Sequence, residues 1–261
     1  MKALQLSQQI GGAYWTRSTL WKQPLEEMRG DPVSRLLTRL VLMARRKYIL
    51  DIEGEEYVAR QQDPFILVAN HSQYAEAIVM GALLAFLRRG RRVRFLADWN
   101  FALLPPVALL YKQAHCILLD QKPAKPKFLG IFKPLFVNEV SGFERARAAL
   151  ASGECVGIFP EGTTNRDPHQ LLKGHSGAAR LSLETGAPLV PTGIHYPGYT
   201  GVRRIGERAA AEIRFGPPLR PERACEKPLL RDVRQWHQEM MGAIANLCGK
   251  SQTTLRRHQR G

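Results

Sequence analysis

Apolar and polar positions in this chain follow two rhythms. Short, nearly continuous apolar runs such as Phe65-Ile66-Leu67-Val68-Ala69 read as strands buried on both faces. Longer stretches with apolar residues three and four apart read as helices. Strands are predicted at 48–52, 65–69, 93–97, 116–119, 156–159, 189–194 and 212–215, and helices at 74–88, 143–152, 174–185 and 229–248. The alternation from residue 48 onward argues for an α/β fold, a mostly parallel sheet of about seven strands flanked by helices.

Residues 1–47 read as a small N-terminal helical segment, 48–250 as the α/β domain, and 251–261 as a basic tail expected to be disordered. Asp31-Pro32 opens a helix with proline at its first position, and Arg45, Arg46 and Lys47 load the end where the helix dipole favours cations. Leu36, Leu37, Leu40, Val41 and Met43 would form its apolar face. Such a face usually packs on a core, although a basic amphipathic helix can also lie on a membrane interface. Residues 121–134, rich in Lys and Pro, read as an exposed loop.

Charge adds to this picture. The 261 residues carry 38 Lys plus Arg against 23 Asp plus Glu, a formal excess of +15. That excess suits an acidic partner: an anionic membrane, an acidic carrier protein, a phosphorylated substrate or nucleic acid. Nucleic acid is not expected, because no recognised binding motif is present and few aromatics interleave the Arg runs. The cluster Arg88, Arg89, Arg91, Arg92 and Arg94 and the loop lysines Lys122, Lys125, Lys127 and Lys133 read either as a docking surface or as a solvated face. The four cysteines, Cys116, Cys155, Cys225 and Cys248, form no C-x-x-C pair, which reads as a reducing compartment without a disulfide framework. Residues 1–10 lack a signal-peptide core. The longest apolar runs, 78–87 and 101–110, fall short of the ~18–20 residues that crossing a bilayer takes. The expected location is therefore cytoplasmic and peripheral, at the inner face of a membrane.

Two segments carry candidate chemistry. Asn70-His71-Ser72-Gln73-Tyr74-Ala75-Glu76 follows the predicted strand 65–69, and Phe159-Pro160-Glu161-Gly162-Thr163 follows the strand before it. Ligands of open α/β sheets bind beyond the carboxyl ends of strands. A histidine there, with an acid five positions later at a helix start, has the makings of a general base and its orienting partner.

These residues resemble the glycerolipid or lysophospholipid acyltransferase family, whose lysophosphatidic acid acyltransferases carry a histidine, four residues and an acid, then Phe-Pro-Glu-Gly-Thr, then a strand with Val-Pro. Here those blocks are His71 to Glu76, residues 159–163 and Val190-Pro191, with Leu172-Lys173-Gly174 resembling the family's lysine–glycine segment. The resemblance covers roughly residues 48–215. It implies transfer of a fatty acyl group from an acyl thioester, on CoA or an acyl carrier protein, to a hydroxyl of a lysophospholipid or other lipid-like acceptor. His71 would be the base and Glu76 its orienter, as in catalytic triads. The family more often has Asp where Glu76 stands. Glu161, Gly162, Thr163, Thr164, Arg166 and Lys173 would bind substrate. No metal and no cofactor are implied beyond the thioester co-substrate.

Two departures bear on the acceptor. The family usually has arginines where Gln121 and Thr164 stand here, and an arginine fork pairs with phosphate oxygens. Either Arg166 or Lys173 takes that task, or the acceptor is an amino-lipid, glycolipid or other alcohol or amine without the phosphate. Cys116 and Cys155 lack an activating partner, which argues against an acyl-cysteine intermediate. A competing metallohydrolase reading would use His71 and Glu76 with His115 or His195, but no metal-binding spacing supports it.

Overall fold

The structure is a computed structural model that describes residues 16–120, 122–124, 127–136, 140–199, 201 and 203–252. The basic tail beyond Gln252, residues 1–15, Gln121 and Lys125 lie outside the described residues. In chain order the elements are α1 (Arg17–Lys22), α2 (Pro32–Arg45), β1 (Ile49–Glu53), β2 (Ile66–Ala69), α3 (Glu76–Leu87), β3 (Val93–Asp98), α4 (Pro105–Gln113), β4 (Ile117–Leu119), α5 (Lys133–Phe136), α6 (Gly142–Ala151), β5 (Cys155–Ile158), β6 (Gln170–Leu171), α7 (Gly177–Thr185), β7 (Leu189–His195), β8 (Ala211–Phe215), α8 (Leu230–Cys248) and β9 (Ser251–Gln252).

Seven strands form one sheet in the order β1-β8-β7-β2-β5-β3-β4, and every neighbouring pair is parallel except β7–β8. All seven predicted strands are in it, and β6 and β9 pair separately. The central strand β2 is buried along its whole length and splits the core by side-chain alternation. Leu67 and Ala69 join one apolar cluster with α3, and Ile66 and Val68 join the other with α6, α7 and α8. Helix α8 lies so close to β7 that a Cβ on Gly193 would stand 2.3 Å from the Leu247 carbonyl carbon.

Two expectations need correcting. Helix α2 does pack on α3, with Leu42 in the core and Val41 and Met43 against it, but Ser34 and Thr38 are buried too, whereas Leu36 and Leu40 of the expected face stay exposed. The Ser34 hydroxyl is satisfied by Asp31 and by Gln113 of α4. The arginines at 88–94 are paired with carboxylates. Arg88 and Arg91 both pair with Asp63, Arg92 with Asp31, Arg94 with Glu154 and Arg89 with Glu26. These pairs gather where β2, β3 and β5 begin. Helix α4 was not anticipated, and its start is set by Pro105-Pro106 in the first turn.

Candidate active site

The parallel arrangement brings the carboxyl ends of β2 and β5 side by side, with Val68 opposite Ile158. The chain leaving β2 is fixed at once. Asn70 is buried and exchanges two hydrogen bonds with the Ile194 backbone of β7, at 3.0 and 2.7 Å. His71 follows, and its ring stacks on Phe159 at 4.3 Å between centroids. Its Nδ1 lies 2.7 Å from Glu76 Oε2. A carboxylate only accepts, so this contact puts the proton on Nδ1 and leaves Nε2 bare.

Glu76 opens α3 without a side-chain cap on that helix, and its carboxylate instead gathers three donors from two segments. Oε2 also takes the Ser72 N–H at 2.7 Å, and Oε1 takes the hydroxyl of Tyr196, just past β7. Burial, and next the Glu76 charge, push the Tyr196 phenol well above its usual range, so it remains a donor. The carboxylate is 5% exposed and cannot turn away from the ring without leaving a buried donor unmet.

Glu161 was expected to meet an acceptor hydroxyl. In the structure its two oxygens hold three donors of the protein itself. Oε1 receives the His71 N–H at 3.0 Å, and Oε2 receives Asn165 Nδ2 at 2.7 Å and the Leu172 N–H at 2.9 Å. At 4% exposure this carboxylate is a clamp that joins the His71 loop to the loop after β5. The Asn165 N–H closes the clamp on the His71 carbonyl at 2.6 Å. Gly162 has φ +66°, and a Cβ there would meet the His175 ring at 2.8 Å. Its carbonyl accepts from Lys122 Nζ at 2.8 Å.

The remaining sequence candidates are spread along this rim. Thr163 is exposed and Thr164 half-buried. Arg166 pairs with Glu207 and lies over the Tyr74 ring at 5.4 Å, so its charge is already partnered. Lys173 is exposed, and its carbonyl accepts from His237 Nε2 at 2.9 Å. The helix-start N–H groups are also in use, Ser72 by Glu76 and Tyr74 by Glu207.

Sequence reasoning missed Asn70, Ser72, Asn165, Tyr196 and the buried Lys250, whose Nζ donates to Ser72 Oγ at 3.0 Å. Tyr196 could have been found by the rule that pointed to His71, since it follows the end of a sheet strand. The thiols are unsuited to nucleophilic work. Burial pushes Cys116 up to about 12 and Cys155 up to about 11, and Cys155 donates to Asp63. His195 Nδ1 donates to the Cys248 carbonyl, and among the described residues no three His, Cys, Asp or Glu side chains group as metal ligands.

Residues 49–195 match the family model described as Acyltransferase. Among curated relatives, the chain is 22% identical over 144 residues to 1-acyl-sn-glycerol-3-phosphate acyltransferase BAT2, chloroplastic, of Brassica napus, covering 55% of this chain and 36% of that protein. It is 27% identical over 147 residues to lysophospholipid acyltransferase LPEAT1 of Arabidopsis thaliana, covering 56% and 32%. The chain thus spans about a third of the length of the curated relatives it matches. The crystal structure of the 1-acyl-sn-glycerophosphate (LPA) acyltransferase PlsC from Thermotoga maritima shares the fold, with a TM-score of 0.54 and 19% identity over 81% of this chain and 78% of that one.

Proposed function

Because this chain belongs to the acyltransferase family, we propose that it moves a fatty acyl group from a thioester, on CoA or an acyl carrier protein, to a hydroxyl of a lipid-like acceptor. The observation that carries the reading is the 2.7 Å contact between His71 Nδ1 and Glu76 Oε2 at the end of the central strand. Nε2 takes the hydroxyl proton as the acceptor oxygen attacks the thioester carbon. The tetrahedral intermediate collapses with cleavage of the C–S bond, and the leaving sulfur takes the proton back from the imidazolium. The products are an ester and a free thiol. Glu76 stabilises the imidazolium, and its hydrogen bonds from Ser72 and Tyr196 hold it in place to do so.

The partners follow from the same reading. A lipid-like acceptor calls for docking at the cytoplasmic, inner face of an anionic membrane. No helix among the described residues is long and apolar enough to cross one. Phe101, Leu104, Phe128 and Ile131, exposed in the segments that leave β3 and β4, support surface contact, with Lys122 and Lys127 nearby in sequence to meet lipid phosphates or an acidic carrier protein. No nucleic acid or metal enters the reaction.

A phosphate-free acceptor is the second reading, favoured by Thr164 in place of an arginine and by the engagement of Arg166 with Glu207. Thiol release, followed with oleoyl-CoA and either lysophosphatidic acid or a lyso-glycolipid, separates the two. The first reading expects the phosphate-bearing acceptor to be faster, the second the reverse. In either case His71→Ala is expected to slow release by ~10²-fold or more in a chain that remains folded. A variant as fast as the parent would remove the base from the mechanism.

A further inference from the structure

Behind the catalytic pair lies a charge that the reaction as written does not use. Lys250 is 5% exposed and comes from outside the segment that matches the family model. The fold drives it inward. Helix α8 stops at Gly249, in a left-handed conformation at φ +70°, and Ser251–Gln252 then pair with Gln170–Leu171. The residue between is turned beneath the His71 loop, where its ammonium reaches Ser72 Oγ at 3.0 Å. Among the described residues it has no carboxylate in direct ion-pair contact.

We propose that Lys250 is the buried counter-ion of this site, a positioning residue that sets how readily His71 takes up a proton. The inference rests on the reading of His71 as the base. Two carboxylates, Glu76 and Glu161, are buried against the His71 loop from α3 and from the turn after β5, and Lys250 faces them from beyond α8. The other groups around them are Tyr196 on Glu76, a neutral donor, the paired Arg166 and Glu207 beside Tyr74, His175 over Gly162, and Asp167 and Cys248 toward Lys250. Burial pushes the ammonium down from its ordinary range, and Glu161, Cys248, Glu76 and Asp167 pull it back.

The charge count explains why a cation belongs there. With His71 neutral, the buried carboxylates and the ammonium leave one net negative charge. The imidazolium formed during catalysis cancels it. Without the ammonium, two uncompensated carboxylates would hold a proton on the ring in the resting enzyme, and a protonated imidazole is no base. Ser72 couples the two tasks, since its hydroxyl meets Lys250 and its N–H meets Glu76.

The test compares Lys250→Gln, which keeps a donor for Ser72 without the charge, with Lys250→Arg, which keeps the charge. Thiol release from oleoyl-CoA with lysophosphatidic acid is measured from pH 5 to 9. The acid limb of kcat/KM is expected to move up by roughly one pH unit in Lys250→Gln, the size of effect a unit charge has in a partly buried site, and to stay near the parent in Lys250→Arg. An unmoved limb in a folded Lys250→Gln overturns the proposal. So does a neutral Lys250 amine at pH 7, read by ¹⁵N NMR of the unaltered chain, a measurement that does not depend on any variant folding. His71→Ala in the same assay keeps the two ideas apart. If it remains active, the base assignment fails. If it is inactive while the Gln limb is unmoved, only the role of Lys250 fails.

Discussion

The two ends of the central strands are both crowded with charge, and they use it in opposite ways. Where β2, β3 and β5 begin, cations meet carboxylates directly. Asp63 alone serves Arg88 and Arg91 and also accepts from the Cys155 thiol. A hollow of about 490 Å³ opens there, lined in part by Asp63, Arg147, Glu184 and Arg220, with Arg147 and Glu184 already paired. Where the same strands end, two buried carboxylates spend their lone pairs on N–H and O–H donors, and the one buried ammonium found among the described residues stands off from both. At the first end the buried charges, Arg88 and Asp63, balance each other, and the ion pairs hold elements together. The second is left short of positive charge beside an imidazole. An unbalanced buried charge, rather than the density of charge or the presence of a hollow, distinguishes the reactive end of this molecule.

Substitutions at the two strand ends should therefore separate stability from rate. The largest effects come from the matching pair. His71→Ala should cost ~10²-fold or more in rate and far less stability than Asp63→Asn costs. Asp63→Asn should do the opposite, because it leaves the Arg88 guanidinium buried without its counter-charge. A loss of about 3–5 kcal/mol in unfolding free energy is expected, with the rate per folded molecule unchanged. A rate loss in Asp63→Asn without a stability loss would erase the distinction.

Tyr196→Phe is the finer probe. It removes one of the hydrogen bonds that hold Glu76 and leaves His71 untouched. A fall of about tenfold in kcat with little change in KM is expected, equivalent to a charge-assisted bond of about 1.5 kcal/mol. Because the Tyr196 phenol titrates well above 10.0, the parent should show no loss of rate from this group as pH rises to that value. A decline below pH 10 that disappears in the Phe variant would show that the phenol ionises earlier than its surroundings require.

What could be read from the sequence was what is local in it. Apolar runs and their spacing located every strand of the sheet and the helices α2, α3, α6, α7 and α8, because burial on one or both faces leaves a periodic trace. The His71 and Glu161 blocks were visible because both follow strands. The partners of the charged groups were not. Nothing near Arg88 in sequence points to Asp63, and nothing near Glu161 announces that its carboxylate will be filled by His71, Asn165 and Leu172. The same holds for α2, where Ser34 and Thr38 are buried while Leu36 and Leu40 are exposed. Lys250 reaches the site only through the β6–β9 pairing, a contact across about 80 residues that no periodicity records.

The account depends on which ring nitrogen of His71 carries the proton. ¹⁵N NMR of the selectively labelled, unaltered chain at pH 8 reads this directly. The predicted spectrum has a protonated, strongly hydrogen-bonded Nδ1 and a bare Nε2 able to accept from an alcohol, with the Nδ1 proton shifted when Glu76 is replaced by Gln. A proton on Nε2, or an Nδ1 signal indifferent to that replacement, would contradict it.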